Sequence, residues 1–191
     1  MIETPHGPAR AHLADAEEPR GLLVLGHGAG GGVGARDLVA AQRAALDEGF
    51  SVALVEQPYR VAGRKSPAPA AQLDAAWLAV IEHLRGDLPL VTGGRSAGAR
   101  VACRTAAETG AVGVLCLAFP LHPPGRPETT RLPELEAVNV PVLIVQGESD
   151  PFGMPPPGRG REIVTVPGNH SLTGDLGALG TAVGEWLRLL V

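Results

Sequence analysis

The chain has 191 residues, of which 45% are hydrophobic and 3% aromatic, and its formal net charge is −4. This length and apolar content predict a single globular domain over residues 1–191 and exclude a disordered chain. Because the net charge is negative and no basic run occurs, the composition argues against a nucleic-acid partner.

No apolar run approaches the roughly 18 residues of a membrane-spanning helix, and the N-terminus lacks a basic segment followed by an apolar one. We therefore expect no membrane association and a reducing, cytoplasmic location. The two cysteines, Cys103 and Cys116, lie among apolar residues, so both are expected to be reduced thiols in the core.

Short apolar runs alternate with helical patterns along the whole chain. Residues 9–14 are a candidate edge strand, and further strands are predicted at 21–26, 50–55, 88–91, 111–118, 141–146 and 162–166. Helices are predicted at 36–48, at 71–84, from residue 97 onward and at 174–190. The pattern predicts an α/β fold, with a mainly parallel sheet flanked by helices on both faces. Only about twenty residues join the strands at 111–118 and 141–146, so the fold should be minimal and lidless.

The strand at 21–26 leads into a glycine-rich loop, His27–Gly34. A P-loop is excluded because no Gly-Lys-Ser/Thr follows, and a dinucleotide fingerprint fits poorly in its spacing. The favoured interpretation is an oxyanion loop of the His-Gly type, in which an amide of Gly28, Ala29 or Gly30 would face a developing negative charge. His27 would then brace the loop through hydrogen bonds rather than act as a base.

Several side chains near strand ends are candidate substrate contacts. Tyr59, which follows the strand at 50–55, could line a pocket or simply pack against its neighbours. Arg95 could attract an acidic substrate, but pairing with a carboxylate such as Glu148 is the favoured interpretation. The other candidates are Phe119, His122 and Phe152.

The strand at 88–91 runs into the pentapeptide Gly94–Gly98 (GRSAG), which fits the pattern G-x-S-x-G. A serine on a sharp strand-to-helix turn sits in strained backbone, and its neighbours two residues away must be small for strand and helix to pass. The pentapeptide alone is compatible with an ordinary glycine-rich turn, but the flanking strand and helix favour a nucleophilic Ser96. The helix beginning at Ala97 would direct the Ala97 amide toward an oxyanion.

Asp150 and His170 each follow a predicted strand, as Ser96 does, and serine hydrolases use this order of serine, acid and histidine. Because the carboxyl ends of parallel strands share one edge of a sheet, the three side chains should converge. His170 would take and return the serine proton near neutral pH, and Asp150 would hold the imidazole tautomer. Glu148 is the alternative acid, and His122 is the alternative base.

Four sequence blocks, taken together and in this order, carry a family resemblance. They are residues 26–31 (GHGAGG), 93–98 (GGRSAG), 119–125 (FPLHPPG) and 147–153 (GESDPFG). On these blocks the chain resembles the α/β-hydrolase superfamily over essentially its whole length, and more closely the KANL3/Tex30-like family. It is similar, more distantly, to dienelactone hydrolases, which carry a cysteine nucleophile where this chain has Ser96. The resemblance implies the fold and a Ser-His-Asp site but no particular substrate.

The residues and the resemblance together predict a serine hydrolase that cleaves small carboxylic esters or thioesters through an acyl-enzyme. The expected partner is a small-molecule acyl substrate, no cofactor or metal is expected, and the oligomeric state is left open. One alternative is a catalytically silent scaffold that keeps the fold. Another is acyl transfer or cofactor-free perhydrolysis by the same three side chains.

Overall fold

A computed structural model describes all residues of the chain, 1–191, as seven strands in one sheet with six helices. The strands are β1 (Arg10–Ala14), β2 (Gly21–Gly26), β3 (Phe50–Glu56), β4 (Leu90–Arg95), β5 (Gly113–Leu117), β6 (Val142–Gly147) and β7 (Arg161–Val166). The helices are α1 (Arg36–Asp47), α2 (Pro58–Val61), α3 (Ala70–Leu84), α4 (Ala97–Thr109), α5 (Leu132–Glu136) and α6 (Leu176–Leu190). None of these helices has the length and hydrophobicity needed to cross a membrane.

The strand order across the sheet is β1-β3-β2-β4-β5-β6-β7. Only β1 is antiparallel to its neighbour, and every other pair of strands is parallel. The chain moves outward from β2 to β3 and then returns to form β4 on the other side of β2. The carboxyl ends of β2 and β4 therefore meet where the winding reverses, which is where open α/β sheets bind their ligands.

The two faces of the sheet carry separate apolar cores. Helices α1 and α6 pack together on one face, toward which Leu23 and Leu25 of β2 point, and α3 and α4 cover the other face, toward which Val24 points. Such alternation is the period-two geometry of a strand that is buried on both sides. The mainly parallel, two-sided and lidless fold predicted from the sequence is confirmed.

Two short helices, α2 and α5, occupy segments for which the sequence pattern predicts no helix. Each has a proline in its first turn, Pro58 and Pro133, where the fixed φ of proline suits a helix and its missing N–H is not needed. With 4 and 5 residues, neither helix is long enough to show hydrophobic periodicity. Strand β4 extends beyond the predicted limit because Gly93 and Gly94 still pair with β2 and β5, so the strand ends directly before Ser96.

The two cysteines lie on neighbouring elements of the core. Both are free and buried, and their sulfur atoms are 3.5 Å apart. The adjacent Cys103 thiol and burial raise the pKa of Cys116 well above its usual value, because a thiolate there would lie beside the second sulfur and lose its hydration.

We predict that neither cysteine of the folded protein reacts with Ellman's reagent at pH 8, because both sulfur atoms are buried and the raised pKa of Cys116 suppresses formation of its thiolate. Two thiols should titrate once the chain is unfolded in guanidinium chloride. Rapid release of the chromophore by the folded protein would contradict the burial of this pair.

Candidate active site

Ser96 joins β4 to α4 with φ 53° and ψ −106°, a conformation that residues with a Cβ rarely adopt. The flanking glycines make this turn sterically accessible. A Cβ on Gly98 would lie 3.0 Å from the Cα of Gly26, and one on Gly94 would lie 2.9 Å from the Gly26 amide nitrogen. Helix α4 therefore passes β2 with backbone against backbone, and the turn holds the Ser96 hydroxyl at the carboxyl edge of the sheet.

The structure brings Ser96, His170 and Asp150 into one continuous hydrogen-bonded chain. The Nε2 atom of His170 lies 2.9 Å from the Ser96 hydroxyl, and its Nδ1 atom lies 2.8 Å from Oδ2 of Asp150. A carboxylate can only accept, so Nδ1 carries the imidazole hydrogen and the lone pair of Nε2 faces the serine O–H. Glu148, the alternative acid, is exposed and makes no contact with the imidazole.

The carboxylate of Asp150 is almost fully buried, with 1% of its side chain exposed, and both of its oxygens are hydrogen-bonded. Oδ1 accepts from the backbone amide of Phe152 at 2.9 Å, and Oδ2 accepts from the side-chain amide of Gln146 at 2.9 Å as well as from His170. The Phe152 ring also packs edge-on against the imidazole, with 4.3 Å between ring centroids. Gln146 was not among the residues predicted from the sequence.

Gln146 links the acid to two neighbouring loops. Its side-chain nitrogen also lies 3.1 Å from the backbone oxygen of Phe119 and 2.9 Å from that of Gly153, so its two hydrogens are shared among three acceptors. Phe119 itself is fully buried in the core under α4, so its ring does not face the site. The prediction that Phe119 contacts the substrate is therefore wrong. His122 packs against Gly153, and its Nδ1 atom contacts the carbonyl of Pro123, 3.3 Å away.

Arg95 pairs with Asp37, not with Glu148, the partner that the sequence suggested. Its Nε donates to Oδ2 of Asp37 at 2.7 Å, and its Nη2 donates to the backbone oxygen of His170 at 3.0 Å. Burial raises the pKa of the Asp37 carboxyl, and the adjacent guanidinium acts in the opposite direction. Arg95 thus connects the start of α1 to the loop that carries the imidazole.

The loop after β2 is held by His27, as the sequence predicted. Its Nδ1 atom lies 2.8 Å from the carbonyl oxygen of Gly28, and its Nε2 atom accepts from the backbone amide of Gln57 at 3.1 Å. These two partners fix a neutral imidazole with its hydrogen on Nδ1. Burial lowers the pKa of His27, which keeps the ring neutral.

Tyr59 holds the same loop through a hydrogen bond to Ala29. Only 3% of the residue is exposed, and its hydroxyl donates to the carbonyl oxygen of Ala29 at 2.8 Å. Burial raises the pKa of Tyr59 to about 12, so the hydroxyl remains a donor at neutral pH. Tyr59 therefore orients the Ala29 peptide instead of lining the cleft beside the serine.

A cleft of about 320 Å³ opens beside Ser96. The side chains and backbone that line it are Ala29, Pro67, Ala68, Ala70, Leu73, Ser96, Ala97, Arg100, Arg104, Pro120, Pro124, Arg131 and Phe152. A larger groove of about 760 Å³ lies between α1 and α6, away from the serine. No three His, Cys, Asp or Glu side chains cluster closely enough to hold a metal ion.

Three arginines line the cleft, and we call them, together with the two carboxylates that pair with two of them, the arginine cluster. Arg100 donates to both oxygens of Glu134, at 2.9 and 2.6 Å, and Arg104 donates to both oxygens of Asp74, at 2.8 and 2.6 Å. Arg104 also reaches Glu134 at 3.4 Å. The third guanidinium, that of Arg131, contacts no carboxylate. None of these five residues was predicted from the sequence as part of a site.

The seven-stranded sheet and the strand-to-helix turn at Ser96 define the α/β-hydrolase class. A family model described as an alpha/beta hydrolase domain matches residues 19–163, and the chain belongs to this family. No curated protein matches the chain in sequence.

Solved structures share the fold over nearly the whole chain. XC6422 from Xanthomonas campestris, a serine hydrolase without a lid, has a TM-score of 0.77 and 21% identity, with 97% of this chain and 92% of that chain covered. Est1E from Butyrivibrio proteoclasticus, solved with ferulic acid bound, has a TM-score of 0.76 and 18% identity, with 95% of each chain covered. A dienelactone hydrolase from Anabaena variabilis has a TM-score of 0.76 and 16% identity, with 100% of this chain and 95% of that chain covered.

The buried imidazole of His27 predicts a pH-dependent stability. In the unfolded chain this group binds a proton near pH 6.5, whereas its lowered pKa in the folded chain keeps it neutral to lower pH. Its contribution to stability is therefore complete above pH 6.5 and is lost as the pH falls below that value. The slope from this one group is at most about 1.4 kcal/mol per pH unit.

Urea unfolding of the wild type and of His27→Asn between pH 7.5 and 5 measures this contribution. We expect the variant to have a lower free energy of unfolding than the wild type at pH 7.5. The difference between the two free energies should narrow toward pH 5. His83→Gln, at an exposed position, is the matched control and should follow the wild type. A constant difference across the range would show that His27 does not titrate as described.

Proposed function

We propose that this protein is a serine hydrolase that cleaves small carboxylic esters or thioesters through an acyl-enzyme. The observation that carries the proposal is the hydrogen-bonded chain from Ser96 through His170 to the buried Asp150. The same three residue types in the same geometry recur in serine hydrolases of unrelated folds because they perform the same proton transfers.

Acylation would begin when the Ser96 oxygen attacks the substrate carbonyl carbon and its proton passes to Nε2 of His170. The carboxylate of Asp150 would stabilise the imidazolium that forms. When the tetrahedral intermediate collapses, its bond to the leaving group breaks, and the departing alcohol or thiol takes the proton from Nε2. The products of this half-reaction are the free alcohol or thiol and an ester on Ser96.

Deacylation would repeat these steps with water in place of the serine hydroxyl. The water oxygen attacks the acyl carbonyl while His170 accepts one proton of the water. Ser96 recovers that proton as the acid departs. Water and ester thus become acid and alcohol, with no change in oxidation state and no cofactor.

The developing oxyanion would accept hydrogen bonds from the amides of Ala97 and Ala29. Ala97 opens α4, where the first amides lack carbonyl partners and the helix dipole favours negative charge. The Ala29 amide donates to nothing within the chain. The peptide unit that carries this amide is held by His27, which donates to the Gly28 carbonyl, and the next peptide unit is held by Tyr59, which donates to the Ala29 carbonyl. Losing one such donor costs about 3–4 kcal/mol in the transition state.

The size of the cleft supports a small substrate, because about 320 Å³ lies near the lower end of typical ligand sites. The short connection over the site leaves no lid to cover a long acyl chain. Est1E, which shares the fold, binds ferulic acid, a molecule of compatible size. The four motif blocks support membership of the KANL3/Tex30-like family. We further predict that the protein is cytoplasmic and consists of a single domain.

An active-site-directed fluorophosphonate probe tests the nucleophile. We expect the wild type to be labelled and Ser96→Ala to remain unlabelled, because the probe forms its bond with an activated serine. Ser66→Ala, in an exposed loop, is the matched control and should label as the wild type does. An unlabelled wild type that melts cooperatively would contradict the proposal and favour a scaffold role.

Substitutions of Asp150 and Glu148 test which of the two carboxylates is the catalytic acid residue of the proposed site. Asp150→Asn should lower kcat for p-nitrophenyl acetate by about 10⁴-fold at pH 7, because the amide stabilises the wrong imidazole tautomer. Glu148→Gln should leave the rate close to that of the wild type. If Glu148→Gln lost activity and Asp150→Asn kept it, the assignment of the acid would be wrong.

A further inference from the structure

The arginine cluster carries one positive charge more than its carboxylates neutralise. Arg100 and Arg104 are each held by two hydrogen bonds to one carboxylate, and Glu134 and Asp74 are thereby fully engaged. Arg131 shares the cleft with them and with Ser96 and has no acidic partner. This excess charge faces the space that a bound substrate would occupy.

Arg131 is held in place by hydrogen bonds from only one of its three side-chain nitrogen atoms. Its Nη1 atom donates to the carbonyl oxygens of Pro120, at 3.2 Å, and His122, at 3.3 Å, which fix the plane of the guanidinium. Its Nε and Nη2 atoms have no partner in the chain, and neither is sealed from solvent. These two atoms form the edge of a guanidinium that binds a carboxylate with two parallel hydrogen bonds.

The surroundings make an anion favourable at this position. Burial lowers the pKa of Arg131, repulsion from Arg100 and Arg104 acts in the same direction, and attraction by Glu134 only partly opposes them. A bound carboxylate would offset this repulsion and replace the water lost from a half-buried guanidinium. The net charge of the whole chain is −4, so the positive wall is a local feature and not part of a generally basic surface.

We propose that the cleft selects esters or thioesters that carry a free carboxylate, with Arg131 as the residue that binds this group. The inference rests on the proposed hydrolase function and names its substrate class. The cleft volume of about 320 Å³ suits short monoesters of dicarboxylic acids. Arg131 is a specificity-determining residue in this scheme and takes no part in the proton transfers.

A matched pair of esters tests the selection. Mono-p-nitrophenyl glutarate carries the carboxylate, and p-nitrophenyl methyl glutarate differs only by the methyl group that removes its charge. We expect the wild type to favour the anionic ester in kcat/KM by about 10- to 100-fold, the range expected for a charge-assisted pair. The preference should shrink as the salt concentration rises, and glutarate should inhibit hydrolysis of the neutral ester.

Substitutions at Arg131 test whether this residue causes the preference for the anionic ester. Arg131→Gln should reduce the ratio of the two kcat/KM values to near one, and Arg131→Lys should give an intermediate ratio because it keeps the charge and loses the fork. Arg126→Gln, on the same loop but exposed and outside the cleft, is the charge-matched control and should keep the wild-type ratio.

The outcomes separate this inference from the proposed function. If the neutral ester is hydrolysed and the fluorophosphonate probe labels Ser96, but the wild type shows no preference for the anionic ester, carboxylate selection is overturned and the hydrolase stands. If neither ester is cleaved and no label is found, the hydrolase proposal itself fails. If Arg131→Gln does not fold, the salt dependence and glutarate inhibition of the wild type still decide the matter.

Discussion

The close passage of α4 over β2 is the constraint on which the site depends. At Gly94 and Gly98 the backbone lies against that of Gly26 at distances that exclude a Cβ. This contact fixes the angle at which the chain leaves β4, and it places Ser96 in a conformation that an unconstrained chain would not hold. The energy of that strained residue is offset by packing of α4 against the sheet, so a larger residue at Gly94 or Gly98 would displace the serine.

The strand order then determines what surrounds the serine. Because the winding reverses between β2 and β4, the glycine-rich loop lies beside Ser96 and supplies backbone amides rather than side chains. The loops after β6 and β7 bring Asp150 and His170 to the same edge. Hydrogen bonds between loops then set the fine geometry, with Gln146 acting on the acid and Arg95 on the backbone of the base.

Strong local signals made much of this arrangement predictable. Buried parallel strands appear as continuous apolar runs, and the glycines around Ser96 admit few other backbone geometries. Asp150 and His170 were predicted because each follows a strand in the order serine, acid, histidine, although Glu148 and His122 stayed open as alternatives. The role of His27 could be inferred because it stands next to the loop that it braces.

The remaining parts depend on contacts between residues far apart in the chain. Asp37 looks like an ordinary first-turn helix acid, and only the fold brings it to Arg95, 58 positions away. Asp74, Glu134, Arg100 and Arg104 come from three helices, one of them too short to show periodicity, and Arg131 comes from the loop directly before that short helix. Gln146 left a faint signal, as the one polar side chain at the end of an apolar strand, but its partners lie in loops whose shape is not encoded locally.

The short connection between β5 and β6 has a consequence for the lifetime of any acyl group held on Ser96. With no lid, nothing seals that group away from bulk solvent while the leaving group departs. Water would therefore be the most abundant competitor at the carbonyl at every moment, and a larger acceptor would have to reach the ester by diffusion through an open mouth. On the proposed function, such an architecture would favour release of the free acid over transfer of the acyl group to a second molecule.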